Sequence, residues 1–372
     1  MCPQFQLLSR PALTLIIICL FSLAQASAQS RTNLLQHHPD PRGEPELTVC
    51  SQNLKNYGLL TDMKRKDPSV TNHTLADKEA ALAQRIAYAK CDVVAVQELL
   101  GKEDAAIKAL ESLALAIRWK TNRFFKPVIG PTNDRSLRNG FLYAADRAEL
   151  GSTISYYRIE LPKLTTEQKP RYYPRGPLEI QLFVKGRDGS PVKTVSLVNF
   201  HFKSRSGAQG DPAALQWETY RMEMAEGLRR VVESRHRGAF ASGDTILVVL
   251  GDRNSHFDTA SAKILEGVLT LDSFKESAPC RLSKRGMPLC QAGSAFPQRL
   301  FSVLSGDPQT KDLPGTFVYK ETYSWLDDIF LPQESLRYAW TLPFEEGDFD
   351  SGVIYSSKDA SDHSLVFVRL NW

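Results

Sequence analysis

Six short apolar runs in this 372-residue sequence border on polar residues that can bind a hard cation or move a proton. Leu47–Ser51 runs into Gln52 and Asn53, Val93–Val96 into Gln97 and Glu98, and Thr194–Phe200 into His201. Ile246–Leu250 runs into Gly251-Asp252-Arg253-Asn254. Asp327 and Asp328 stand just before Ile329-Phe330, and Ser361-Asp362-His363 just before Ser364–Leu370. A single such carboxylate means little, because a strand leaving a core must end in something polar. Six sites offering only Asn, Asp, Glu and His select two chemistries: oxygen-rich coordination of a divalent cation, and general acid–base transfer. Cations gather beside them. Lys203 and Arg205 follow His201, Arg253 separates Asp252 from Asn254, and Arg135 and Arg138 precede Gly140–Ala144, side chains suited to phosphates.

Stepping outward to the elements, these runs are rich in Val, Ile, Leu and Phe and read as short strands buried on both faces. Two helices are expected. One is capped by Thr74 and runs to about Ala89 with Leu75, Leu82 and Ile86 on one face; the other opens at Asp211-Pro212 and runs to about Ser234. Many buried strands with few long helices imply sheet packed on sheet with helices outside.

In chain order, S-Q-N-L-K-N-Y-G, V-V-A-V-Q-E, N-F-H-F-K-S, V-L-G-D-R-N, W-L-D-D-I-F and S-D-H-S resemble the motif set of the endonuclease/exonuclease/phosphatase superfamily, the deoxyribonuclease-I-like phosphodiesterases. The resemblance implies one α/β domain over 47–372, a four-layered α/β/β/α sandwich of two packed mixed sheets with outer helices. That replaces the two domains suggested by about 150 residues per domain. It also implies metal-assisted, in-line phosphoester hydrolysis. Asn53 and Glu98 would place Mg²⁺ (or Mn²⁺ or Ca²⁺), with Glu98 the principal ligand and Asp362 a further carboxylate near the ion. Asp252 and Asn254 would orient the attacking water and hold a phosphate oxygen. His363, oriented by Asp327, would take a proton, and His201 would donate to a phosphate oxygen. Where the deoxyribonuclease branch carries a glutamate that partners the first histidine, Ser136–Tyr143 has no acid, and Arg138 would face the phosphate instead. Lys203 and Arg253 complete the expected phosphate-binding set, and Asp328 stands where a tyrosine or histidine is frequent.

The expected function is therefore a secreted or periplasmic metal-dependent phosphodiester hydrolase, a nuclease acting on DNA or RNA. One alternative is a phospholipid phosphodiesterase of the sphingomyelinase kind, with Tyr156-Tyr157 and Tyr172-Tyr173 as residues to touch a bilayer. The other is a non-catalytic binding module, which the joint presence of Glu98, His201, Asp252 and His363 opposes.

Composition sets the outer bounds. At 42% hydrophobic and 24% charged the chain is of globular type, and a net charge of +4 is too small to announce a polyanion partner, so a nucleic-acid reading rests on the site. Residues 1–28 read as a signal peptide: a head ending in Arg10, an apolar run from Ala12 to Leu23, then Ala24, Ala26 and Ala28. Twelve residues at about 1.5 Å each do not cross a ~30 Å hydrocarbon core, so no integral span is expected after cleavage. Residues 29–46 read as a linker. The cysteines beyond the signal are Cys50, Cys91, Cys280 and Cys290, and export places them where disulfides form. Cys280 and Cys290 bracket a polar stretch with Pro and Gly and are expected to bridge. Cys50 and Cys91 each open an apolar run and read first as small buried side chains, their pairing being left open.

Overall fold

The computed structural model describes residues 45–165, 169–187, 189–205, 215–290, 293–306, 313–340, 349–355 and 360–372. The expected signal, the linker up to residue 44 and the expected helix start at Asp211-Pro212 lie outside the described residues. One large sheet has the order β15 (Ser351–Ile354), β16 (Leu365–Leu370), β1 (Leu47–Tyr57), β2 (Val93–Leu100), β4 (Leu137–Ala144), β3 (Phe125–Ile129). The second has β11 (Leu300–Ser302), β14 (Asp327–Pro332), β8 (Thr245–Asp252), β7 (Lys193–His201), β6 (Leu178–Val184), β5 (Ala148–Ser155). Two short pairs, β9 (Arg281–Leu282) with β10 (Pro288–Leu289) and β12 (Phe317–Tyr319) with β13 (Thr322–Ser324), stand apart from both.

Both large sheets are mixed in the same way: β1 is parallel to β2 and β7 to β8, and their other pairings are antiparallel. A parallel pair needs a crossover. α1 (Leu60–Lys66) and α2 (Asn72–Tyr88) supply it between β1 and β2, and α4 (Glu218–Arg235) and α5 (Arg237–Ala241) between β7 and β8. α3 (Glu103–Thr121) follows β2, and α6 (Ala260–Leu265) follows β8.

Strand alternation explains why the runs are apolar on both faces. Leu47, Val49, Val93 and Ala95 meet Val195, Leu197, Ile246, Val248, Leu250 and Ile329 in one core between the sheets. The intervening Cys50, Val94 and Val96 pack under α2 and α3, and Val198, Phe200, Leu247 and Val249 under α4 and α6. This is the expected four-layered sandwich.

Several expectations are corrected. α2 starts a turn earlier than read: Thr71 is the cap, its hydroxyl accepts from Thr74 N (3.2 Å), and the Thr74 hydroxyl accepts from Thr71 N (2.9 Å). Thr74 is thus the far half of a capping box. Pro45 and Glu46, read as linker, pack on the domain, where Arg187 Nε donates to Pro45 O (2.8 Å) and Arg147 Nη2 to Glu46 O (2.8 Å). Cys280 and Cys290 bridge as expected, and Cys50 and Cys91 bridge as well. The parallel register sets Val49 opposite Val93, which brings Cys91, just before β2, within 6.0 Å (Cα–Cα) of Cys50.

Candidate active site

The inter-sheet space changes character along the strands. Beyond the apolar core comes a layer of amides: Gln97 Nε2 donates to Ser51 Oγ (3.1 Å) and, across the sheets, to Asn199 Oδ1 (2.7 Å). Asn199 Nδ2 returns bonds to the Val96 and Gly140 carbonyls (2.9 and 2.8 Å). One step further along the same faces lie Asn53, His201, Asp252 and Asp327. Register aligns them, since His201 pairs with Asp252 across β7/β8 and Asp327 with Asp252 across β8/β14. Close packing of β7 on β8 requires Gly251, at φ +147°, where a Cβ would lie 2.0 Å from the Phe200 carbonyl oxygen.

Glu98 reaches the cluster through an irregularity. In strict alternation it would turn from the face that Gln97 uses, but between Val96 and Leu99 β2 advances three residues against two of β4, and Glu98 has φ 57°. Such a bulge re-aims a side chain. Asn53 Nδ2 donates to Glu98 Oε1 (3.3 Å) and to Asp252 Oδ2 (3.0 Å), binding the two sheets' carboxylates through one nitrogen. Lys55, Asn56 and Asn254 also adopt positive φ. Four non-glycine residues in this costly region, all beside one cluster, mark strain held at the site.

The His363 dyad is explicit. His363 Nδ1 lies 2.8 Å from Asp327 Oδ2 and its Nε2 4.0 Å from Asp252 Oδ2. Burial opposes its charge, but Asp327 and then Asp252 outweigh that and push His363 up to about 10. That direction favours the protonated imidazole, which would make His363 a donor where a proton acceptor is expected. Asp252 is the better acceptor: burial raises it, the positive His363 partly offsets this, and it settles at about 7. Asp252 Oδ1 accepts from Asn254 N (2.7 Å) and its Oδ2 from Asn254 Nδ2 (3.0 Å). His201 is held well below its ordinary value by burial first, then by the positive Arg175, His363 and Lys203. Its Nε2 is 3.4 Å from Asp252 Oδ2, and neither ring nitrogen has a hydrogen-bond partner among the described residues. It is a neutral imidazole with one N–H to give.

The donor set fits a hard divalent cation at Glu98. Glu98 Oε1 accepts from Asn53 Nδ2 (3.3 Å) and Oε2 from Asn56 N (3.1 Å), and among the described residues no cation is in direct ion-pair contact with the carboxylate. Carboxylate and amide oxygens are the ligand types that Mg²⁺ or Ca²⁺ requires; here the Asn53 amide turns Nδ2 to Glu98 and its Oδ1 accepts from Lys55 N (2.9 Å). Asp252, Asp327 and His363 also offer atoms within 4.8 Å of one another. That trio includes a protonated imidazole already bonded to Asp327, so it suits proton transfer better than coordination. Asp362 stands at the rim, 3.4 Å from Lys55 Nζ.

Two expected phosphate contacts are redirected. Arg253 alternates away from Asp252 into the outer layer, is 1% exposed, and has Nη1 3.3 Å from Asp328 Oδ2. Arg138 donates to the carbonyls of Gly101 (3.0 Å) and Gly130 (3.3 Å), tying β4 to the turn after β2. Lys203 stays near the cluster, its Nζ 4.4 Å from the Trp217 ring centroid and its charge felt by His201. Arg175 was not anticipated. Its Nη2 donates to Phe202 O (2.6 Å), its Nε is buried without a partner, and its charge interacts with Glu98 and Asp252. The signal was Arg175-Gly176-Pro177 just before β6: this strand is antiparallel to β7, so it begins at the pole where β7 ends.

With this geometry in place, the similar solved structures are informative about fold. An endonuclease/exonuclease/phosphatase from Bacteroides vulgatus aligns over 87% of this chain and 98% of its own at 12% identity, TM-score 0.51. D. rerio TDP2 complexed with a single-strand DNA product aligns over 88% and 99% at 16% identity, TM-score 0.50. A Leptotrichia buccalis protein of the same family aligns over 88% and 100% at 13% identity, TM-score 0.50. The chain has the endonuclease/exonuclease/phosphatase fold. No family model and no curated protein matches its sequence.

Proposed function

We propose that this chain is a divalent-cation-dependent phosphoester hydrolase that cuts nucleic-acid phosphodiesters outside the cytoplasm. The observation that carries the reading is the buried row His201–Asp252–Asp327, closed by His363 on one side and by Asn53 and Glu98 on the other. A cation held by Glu98 and Asn53 would polarise the phosphoryl group and stabilise its charge. Asp252, fixed by Asn254, takes the proton of the attacking water. His363, kept cationic by Asp327, and the N–H of His201 donate to phosphoryl oxygens as charge develops there. Arg175 and Lys203 beside His201 supply positive charge for a polyanionic substrate. D. rerio TDP2, which shares the fold, has been seen with single-strand DNA, and two disulfides suit an oxidising compartment. Of the tyrosines considered for bilayer contact in the phospholipid reading, Tyr156 and Tyr173 are buried, with hydroxyls donating to Glu179 Oε2 and Met224 O, while Tyr172 is 43% exposed.

Incubating the purified protein with plasmid DNA, RNA and sphingomyelin, with Mg²⁺ or with excess chelator, tests the proposal. Nucleic acid should be cut only with the cation. Cleavage of sphingomyelin alone, or undiminished activity in chelator, would refute it.

A further inference from the structure

At the other pole of the first sheet, the starts of β1 and β2 and the ends of α2 and α3 enclose a cavity of about 390 Å³. Thr48 on its wall precedes Asn53 by five residues on one strand, about 17 Å at about 3.3 Å per residue. The wall carries Lys90, Lys120, Arg123, Arg147 and Arg187 against Asp146, with Asp92 and Glu46 among their partners. Arg123 donates to Asp92 Oδ1 (2.7 Å) and Asp146 Oδ2 (3.1 Å). Five cations over three carboxylates leave surplus positive charge. Two buried donors there have no partner among the described residues: Arg147 Nε and the hydroxyl of Thr48, a residue 1% exposed. Burial and then the neighbouring Arg187 hold the Arg147 guanidinium below its ordinary value, against the opposing pull of Asp92 and Glu46.

Aromatic residues flank the same lining along the chain. Tyr88 (48% exposed) follows Ala87, Trp119 (83%) precedes Lys120, and Phe124 (56%) follows Arg123. The Arg118 guanidinium lies 3.7 Å from the Phe124 ring centroid. One exposed aromatic means nothing. Three exposed ones next in sequence to residues that line a cationic cavity combine the two forces that hold a protein on a bilayer of negative charge, interfacial partition of aromatic rings and attraction of basic residues to acidic headgroups. Pro45 is also in the lining.

We propose that this pole docks on an anionic phospholipid membrane, with a lipid phosphate in the cavity and Tyr88, Trp119 and Phe124 in the interfacial layer. The docked surface is distinct from the catalytic cluster, and the proposal stands independently of what that cluster hydrolyses.

Co-sedimentation of the full chain with vesicles of phosphatidylcholine alone, or of equal parts phosphatidylcholine and phosphatidylglycerol, tests it, the apolar run at 12–23 being common to every arm. The mixed vesicles should bind at least about tenfold more tightly, and Trp119→Ser/Phe124→Ser and Lys120→Gln should each weaken this by about fivefold. Hydrolysis of a soluble phosphodiester should not change, which also reports that the variants fold. Equal binding to both vesicles, or variants that bind as the parent does, would overturn the proposal. So would binding of inorganic phosphate that Thr48→Val abolishes without any preference for mixed vesicles, which would make the cavity a site for free anions. Self-association lost in the Trp119 variant, without vesicle binding, would make the pole an interface between copies.

Discussion

At the scale of single residues, Asp252 and His363 lie in one buried cluster with their ionisations pushed upward for opposite reasons. Asp252 is raised by loss of water, to about 7, and His363 by carboxylates that outweigh the same loss, to about 10. A reaction that needs Asp252 ionised and His363 protonated should gain kcat/KM as pH rises through about 7 and lose it as pH approaches about 10. Asp327→Asn removes the largest influence holding His363 cationic, so its alkaline limb should move to lower pH, with kcat/KM down by about 10²–10⁴-fold. His363→Ala should cost as much, and the double variant little more, because both changes damage one unit. A pH–rate series on the three variants decides the matter: an unmoved alkaline limb, or additive losses, would show that Asp327 does not act through His363.

At the scale of elements, the two disulfides staple different lengths of chain. Cys50–Cys91 spans 41 residues and fastens β1 to the start of β2, whereas Cys280–Cys290 spans 10. By loop-closure entropy the first should contribute about 4 kcal/mol and the second about 3. In urea titrations, Cys50→Ala/Cys91→Ala should therefore destabilise by roughly 1 kcal/mol more than Cys280→Ala/Cys290→Ala; the reverse order would mean that loop length does not govern here. Legibility in the sequence follows the same physics. Strands buried on both faces, such as β1, β2, β7 and β8, were readable because Val, Leu, Ile and Phe dominate them and only small or uncharged polar residues, such as Thr48, Ser196 and Asn199, fall among these before the site. The edge strand β5, with exposed Glu149 and Gly151 between partly buried neighbours, has no such run and was missed. Spacing along the chain does not say which way a residue faces: alternation sends Arg253 outward to Asp328, while a bulge brings Glu98 inward. The Cys50–Cys91 bridge depends on parallel pairing, a contact between strands that neither local run encodes.

At the scale of the whole molecule, the site belongs to neither sheet alone. Asn53 and Glu98 come from one, His201, Asp252 and Asp327 from the other, and the Asn53 amide joins carboxylates of both. Folding must therefore bring carboxylates together at the mouth of the sandwich, and like charges at short range oppose the close approach of the sheets. A divalent cation at Glu98 would relieve that repulsion only in the folded state, where its ligands converge, so binding should appear as stability. At a concentration about 100 times its dissociation constant the ion should add roughly 2.7 kcal/mol. Thermal unfolding of the wild-type chain should then occur several degrees higher in Mg²⁺ than in chelator. Glu98→Gln should lose most of this increment while unfolding in chelator at or above the wild-type temperature, since the substitution removes one of the repelling charges. Titration calorimetry of both proteins with Mg²⁺ provides the matching affinities. An increment that survives in Glu98→Gln would move the ion elsewhere, to the Asp252–Asp327–His363 group for instance, and no increment in the wild type would leave the gathered carboxylates without the cation proposed for them.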